Sequence, residues 1–121
     1  MRILVTGGAG FIGTNLVRRL IETGHEPIVF DDFSTGLESN LSGLSVQVHQ
    51  GNLGDGDAVA ASVRGVDALV HLGARGSVPR SIAYPVATHQ VNATGTLNVL
   101  EAARAEGAYV VMSSSSSVYG A

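Results

Sequence analysis

The 121-residue chain contains no lysine, no cysteine and no tryptophan. Without cysteine it can form neither a disulfide nor a thiolate metal site, and it says little about redox compartment. No metal is expected. All seven basic residues are arginines (Arg2, Arg18, Arg19, Arg64, Arg75, Arg80 and Arg104). Chemistry that needs an amine of adjustable basicity is therefore excluded from these residues. Charged residues are sparse at 14%, with a net charge of -3, so the basic face of a nucleic-acid binder is missing. No apolar run approaches the ~18 residues of a membrane span. The N-terminus carries one arginine and enters an apolar stretch directly, unlike a signal peptide. In the absence of a targeting signal, the expected location is the cytoplasm. What remains is a chain that is 45% apolar with 16 glycines. Its length suits one domain, able to bury roughly two-thirds of its unfolded surface.

The glycines concentrate at Thr6-Gly7-Gly8-Ala9-Gly10-Phe11-Ile12-Gly13. Ile3-Leu4-Val5 before it reads as a buried strand. Phe11 to Thr23 after it has helical periodicity, with Ile12, Leu16, Leu20 and Ile21 on one face. Strand, glycine turn and helix in that order make the dinucleotide-binding βα unit. Gly7 and Gly8 allow the sharp turn, Gly10 lets a pyrophosphate approach the backbone, and Gly13 lets the helix pack on the strand. The first helical N–H groups have no partner inside the helix and face an incoming anion. The alternative is a glycine-rich loop without a ligand. Against it, a second apolar run, Pro27-Ile28-Val29-Phe30, ends in Asp31, near the spacing expected for a carboxylate on the adenosine ribose.

Strands are predicted at Arg2–Thr6, Glu26–Phe30, Val46–His49 (alternating in and out), Ala68–Leu72 (a continuous buried run) and Tyr109–Met112. Helices are predicted over Phe11–Thr23, Ala58–Val63 and Val86–Ala105, the last with Val91, Leu97 and Leu100 among its apolar positions. Gly24, Gly65 and Gly107 end them. Gly73 to Pro85 reads as a long loop. Alternating strands and helices give a doubly wound parallel sheet, and right-handed crossovers give the order 3-2-1-4-5. A ligand belongs across the carboxyl ends, at the switch between strands one and four.

These stretches together resemble the N-terminal part of the extended short-chain dehydrogenase/reductase family, and within it the NAD-dependent UDP-sugar 4-epimerases. Thr6–Gly13 is similar to the family's TGGxGFIG, and Asp31–Gly36 to its loop after strand two. His71-Leu72-Gly73-Ala74 resembles its HLAA strand end, and Ser77–Ser81 its SVPRS loop. Asn92 with Gly95-Thr96 resembles NxxGT, and Ser113–Gly120 resembles SSSxxVYG. The fold so implied is Rossmann-like, with residues 1–121 an NAD-binding domain truncated after strand five and the C-terminal substrate domain absent.

The resemblance also implies roles. Gly7, Gly10, Phe11, Ile12 and Gly13 would serve the pyrophosphate, and Asp31 the ribose hydroxyls. Asp32, Phe33, Ser34, Thr35 and Gly36 would wrap the adenosine. Asn52 and Leu53 would sit beside the adenine, with Asn52 standing where the family usually has Asp. Leu72, Gly73, Ala74 and Arg75 would line the middle of the cofactor, and Asn92 would bond the cofactor or tie down a loop. Ser115 aligns with the catalytic serine on the sugar's 4-hydroxyl. Ser77 and Arg80 are candidates for the UDP-sugar, although a loop arginine is ordinarily solvated. His71 reads as a satisfied core histidine, and Tyr119 as structural.

The family's base is a Tyr in a Tyr-x-x-x-Lys pair, and a sequence without lysine cannot hold it. The expectation is thus the NAD-binding part of an epimerase acting by transient C4 oxidation, inactive by itself. Related 4,6-dehydratases and decarboxylases, or a non-catalytic dinucleotide-binding or interaction module, are the alternatives. An apolar last strand left at a sheet edge leads us to expect a homo-oligomer.

Overall fold

A computed structural model describes residues 1–120. The elements are β1 (Arg2–Thr6), α1 (Phe11–Glu22), β2 (Glu26–Asp31), β3 (Gln47–Gln50), α2 (Gly56–Val63), β4 (Ala68–His71), α3 (Val78–Ala83), α4 (Pro85–His89), α5 (Gly95–Glu106) and β5 (Tyr109–Met112). A π-turn at Gln90–Thr94 joins α4 to α5, and 3₁₀ turns lie at Glu38–Leu41 and Ser116–Tyr119. All strand pairs are parallel, and the order is β3-β2-β1-β4-β5, as the alternation of elements predicts.

Successive residues of a strand face opposite sides, so the sheet has two apolar layers. Leu4, Ile28, Phe30 and Leu69 pack with Val59 and Val63 of α2 and Val99 and Ala102 of α5. Ile3, Val5 and Val29 pack on the other face with Val17 of α1, Ala9 and Leu41. Burial of each large side chain contributes roughly 1.5–3 kcal/mol. The result is a doubly wound sheet whose carboxyl edge lies between two rigid layers.

Several local expectations change. Ile12 is 65% exposed, whereas Leu16, Leu20 and Ile21 pack half-buried against the core around the fully buried Gly13, Thr14 and Val17. The helix meets the sheet through its smallest residues, so the larger ones lie to the side. β3 is an edge strand without the expected alternation, and Gln47, Val48 and Gln50 are all exposed. β4 is not buried throughout: Leu69 and His71 are buried, Ala68 and Val70 half-buried. The supposed loop from Gly73 to Pro85 contains α3, which Ser77 caps by accepting the Arg80 N–H and which has a proline in its first turn. The long helix starts at Pro85 and is interrupted by the π-turn, where the Gly95 N–H reaches back to the Gln90 carbonyl. Leu97 and Leu100 on α5 are exposed.

The carboxyl ends of β1 and β4 are locked by a chain of side-chain hydrogen bonds through His71. The Thr6 hydroxyl oxygen accepts the N–H groups of Leu72 and Gly73, both at 3.1 Å, and lies 2.7 Å from His71 Nδ1. The Leu72 N–H is shared with the Thr6 backbone carbonyl at 3.2 Å. Because Thr96 spends its own hydrogen on the Asn92 carbonyl, it accepts from His71 Nε2, which leaves Nδ1 of the neutral ring to accept the Thr6 hydroxyl hydrogen. Nδ1 is therefore the unprotonated nitrogen. His71 Nε2 then donates to the Thr96 hydroxyl at 3.1 Å, and Thr96 donates to the Asn92 carbonyl at 2.6 Å. This network requires a neutral ring, and burial pushes the His71 pKa below its ordinary value in the same direction.

The pH dependence has a definite sign. The unfolded chain binds a proton at His71 more readily than the folded one, so stability rises with pH in this range. The contribution is complete above the unfolded value of ~6.5 and is lost as pH falls through it toward the lower folded value. Urea unfolding from pH 8 to 5 should show this loss. His71→Gln should cost about 1–3 kcal/mol at pH 8, because buried partners lose their bonds, and should flatten the pH slope. Equal slopes in the two proteins would exclude His71 as the titrating group.

Candidate functional site

The carboxyl edge opens into a cleft of about 640 Å³, within the ~300–1,000 Å³ usual for ligand sites. It lies where the chain leaves β1 in one direction and β4 in the other. Its shape comes from glycines. Gly7 has φ +70°, and a side chain there would bring a Cβ within 2.9 Å of the Gly73 backbone nitrogen. A Cβ on Gly13 would collide with the Gly7 carbonyl oxygen and with Gly8. The start of α1 therefore rests directly on the turn leaving β1.

The turn's own polar groups are paired internally. Gly7 N–H donates to the Phe30 carbonyl at 2.8 Å, and Gly10 N–H to the Gly7 carbonyl at 3.1 Å. The first helical bond is Thr14 N–H to the Gly10 carbonyl, at 2.9 Å. The N–H groups of Phe11, Ile12 and Gly13 thus have no intrahelical acceptor. No side chain caps them, and the first turn carries no acidic residue. All three residues line the cleft. This donor set suits an anionic group such as a pyrophosphate.

Asp31, at the end of β2, is buried and also lines the cleft. Its Oδ2 accepts the Ala9 N–H at 3.0 Å and its Oδ1 accepts the Phe33 N–H at 2.9 Å. Each oxygen retains accepting capacity toward the cleft. Asp32, Ser34, Thr35 and Gly36 line the same end of it. Phe33 does not. Its backbone is left-handed, at φ +58°, and its ring packs against the α1-side core. With the Asp31 carboxylate holding its N–H, the ring turns away from the ligand space.

Leu72, Gly73, Ala74 and Arg75 form the opposite wall, with Leu53 also on the surface of the cleft. Asn92 lies behind that wall. Its Oδ1 accepts the Arg75 N–H at 2.7 Å and its Nδ2 donates to the Arg75 carbonyl at 2.9 Å, so it ties down the loop. Asn52 is likewise absent from the lining. Its Oδ1 accepts the Gly54 N–H at 2.7 Å and shapes the turn into α2. Ser77, which caps α3, and Arg80 within it lie outside the cleft lining. Ser115 lies on the exposed segment after β5, where its Oγ accepts the Ser117 N–H at 3.1 Å. In the serine run it is Ser113 that reaches the cleft. Tyr119 is 89% exposed.

The cleft thus gathers fifteen of the eighteen dinucleotide candidates and leaves out Phe33, Asn52 and Asn92. It adds Phe30, Gly51, Gly76, Val91 and Ser113. Phe30 and Gly51 adjoin Asp31 and Asn52 in sequence, and Gly76 follows Arg75. Val91 has no local signal and arrives through the π-turn. Among the described residues, no cluster of three His, Cys, Asp or Glu could hold a metal ion, and no helix is long and apolar enough to cross a membrane.

A family model described as the NAD dependent epimerase/dehydratase family matches residues 3–121. UDP-glucuronic acid decarboxylase 1 of Danio rerio is 39% identical over 119 residues, which is 98% of this chain and 28% of that protein. UDP-glucose 4-epimerase of Lactobacillus helveticus is 35% identical over 123 residues, 99% of this chain and 37% of that protein. A crystal structure of UDP-glucose-4-epimerase from Stenotrophomonas maltophila, with bound NAD and formylated UDP-arabinopyranose, superposes with a TM-score of 0.90 at 31% identity. That match covers 99% of this chain and 38% of that one. The chain spans only about a third of the length of such relatives, and within that span it belongs to the NAD dependent epimerase/dehydratase family.

Proposed function

We propose that residues 1–121 are the NAD-binding portion of a UDP-sugar 4-epimerase, with the substrate domain outside this stretch. The observation that carries the reading is the glycine-shaped cleft at the β1–β4 switch, with three uncapped helical N–H groups at one point and the Asp31 carboxylate at another. Phe11, Ile12 and Gly13 would hold the diphosphate by backbone donation. Asp31 would accept from the adenosine ribose, with the Asp32–Gly36 loop beside it. Leu72–Arg75 would flank the middle of the dinucleotide. When bound, NAD supplies a hydride acceptor and, on the return, a hydride donor. The Ser115 hydroxyl accepts a local N–H, which leaves its hydrogen for the sugar's 4-hydroxyl. The chain's 39% identity to a UDP-glucuronic acid decarboxylase, beside 35% to a UDP-glucose 4-epimerase, supports a second reading, in which the same cofactor portion serves a decarboxylase.

Calorimetric titration with NAD and NADP tests the central claim. NAD should bind more tightly, because a hydrogen bond from the 2′-hydroxyl to the Asp31 carboxylate is worth about 1.5–3 kcal/mol. A 2′-phosphate would meet Asp31 and Asp32, and the next arginine in sequence is Arg64. Equal or tighter NADP binding would overturn the role of Asp31. In the intact enzyme, Ser115→Ala should lower turnover ~10²–10³-fold while leaving NAD affinity nearly unchanged. A crippling Ser114→Ala with a mild Ser115→Ala would show that a different serine carries the role.

The 121 residues alone should turn over no UDP-hexose, since they hold no Tyr-x-x-x-Lys pair. They should also self-associate. β5 is at the sheet edge with Tyr109 73% exposed and Val111 53% exposed, and an unpaired apolar edge is a template for association. Light scattering over a concentration series, with a turnover assay alongside, checks both expectations. A persistent monomer or measurable epimerisation would refute the corresponding one.

A further inference from the structure

Ala9 sits in the middle of the glycine turn and is fully buried. Its N–H goes to Asp31, as described. Its carbonyl accepts from Asn40 Nδ2 at 2.8 Å. Asn40 comes from the 3₁₀ turn Glu38–Leu41, thirty-one residues away in sequence. Two features hold that turn in place. Leu41 is buried in the α1-side core with Ala9, Val17 and Val29. Gly36 lies so close to Ala9 that an added Cβ would fall 2.9 Å from the Ala9 carbonyl carbon.

The Ala9–Gly10 peptide is consequently gripped at both ends. Asn40 holds its carbonyl, and the Gly7 carbonyl holds its N–H at 3.1 Å. The Gly10–Phe11 peptide follows it and opens α1, and the three N–H groups from Phe11 to Gly13 are the uncapped donors that line the cleft. With the Ala9–Gly10 peptide held, extended Gly10 (φ −77°, ψ 179°) is the single joint between it and α1, so the grip constrains where the helix begins and how those donors are aimed. Asn40 itself does not line the cleft.

We propose that Asn40 is a positioning residue for a nucleoside diphosphate: by holding the Ala9 carbonyl it aims the Phe11–Gly13 N–H groups at the diphosphate, without touching the ligand. This rests on the reading of the cleft as an NAD site. It divides the work of the β2–β3 segment in two. Asp31 and the residues just after it face the adenosine, while Asn40 acts on the phosphates through the backbone of a different element.

The test compares ligands with and without the diphosphate in the intact protein. Asn40→Leu keeps nearly the same size and removes the donor. Asn40→Ala serves if the leucine variant does not fold, and because Asn40 is only part-buried this truncation leaves no enclosed cavity. Affinities for NAD, ADP and adenosine are measured by calorimetry or NMR titration. NAD and ADP should each weaken about tenfold, the scale of one lost hydrogen bond, with adenosine affinity changed less than twofold. An equal loss for adenosine would show that the substitution disturbs the whole loop, and would overturn the proposal. Unchanged affinity for all three would also overturn it. A wild-type protein that binds none of them would remove the NAD reading and this proposal together, whereas wild-type binding with an indifferent variant removes this proposal alone.

Discussion

The structure depends on one close approach: the first turn of α1 lies against the carbonyl of Gly7, at a separation only a glycine at position 13 permits. If α1 stood farther off, its first N–H groups would leave the mouth of the cleft and Val17 would leave the apolar layer it completes. The approach also explains why the fully buried positions of the helix are Gly13, Thr14 and Val17, with Leu16, Leu20 and Ile21 packing half-buried beside them. Contact distance sets the side-chain size that the interface can accept. The same condition recurs across the cleft, where Gly7 and Gly73 meet backbone to backbone.

A turn this tight would be costly if its polar groups lacked partners. Side chains from distant elements supply them. Thr6, itself bonded to His71, accepts the N–H groups that leave β4, Asn92 takes both polar groups of Arg75, and Asp31 with Asn40 takes both of Ala9. The uncapped donors of α1 stand out because their neighbours are satisfied. The site is thus defined by subtraction: the cleft presents the few backbone groups that the fold leaves without an internal partner.

Much of this was readable from residues alone, for a physical reason. Gly7 with its positive φ and Gly13 against the Gly7 carbonyl are required by a turn of contiguous residues, and the acid at 31 stands at a spacing fixed by the length of the βαβ unit. The strand order followed from alternation and crossover handedness. Boundaries were less legible. Ser77 and Pro79 start a helix inside what reads as a loop, and nothing in the residues near Gln90 announces a π-turn. Side-chain partners were least legible. Asn52 gives its amide oxygen to the Gly54 N–H, and Asn92 spends its amide on the backbone of Arg75, seventeen residues away. Asn40 lies in a polar stretch indistinguishable from ordinary loop until its partner at Ala9 is known. Likewise, the periodicity of β3 promised a buried face, but a strand with a neighbour on one side only is left largely in solvent.

Leu53 belongs to two compartments at once. It is part of the apolar layer containing Leu4, Phe30 and Val99, and it is also exposed to the cleft. Glycines on two separate segments make room for it: a Cβ on Gly73 or on Gly95 would come within 2.8 Å of its side chain. The partition between the protein's oily interior and its binding space is therefore one side chain thick at this point. A ligand lying there would act as a lid on the interior, keeping water from the same leucine that the core holds from below. A ligand seated there would thus share one wall with the core.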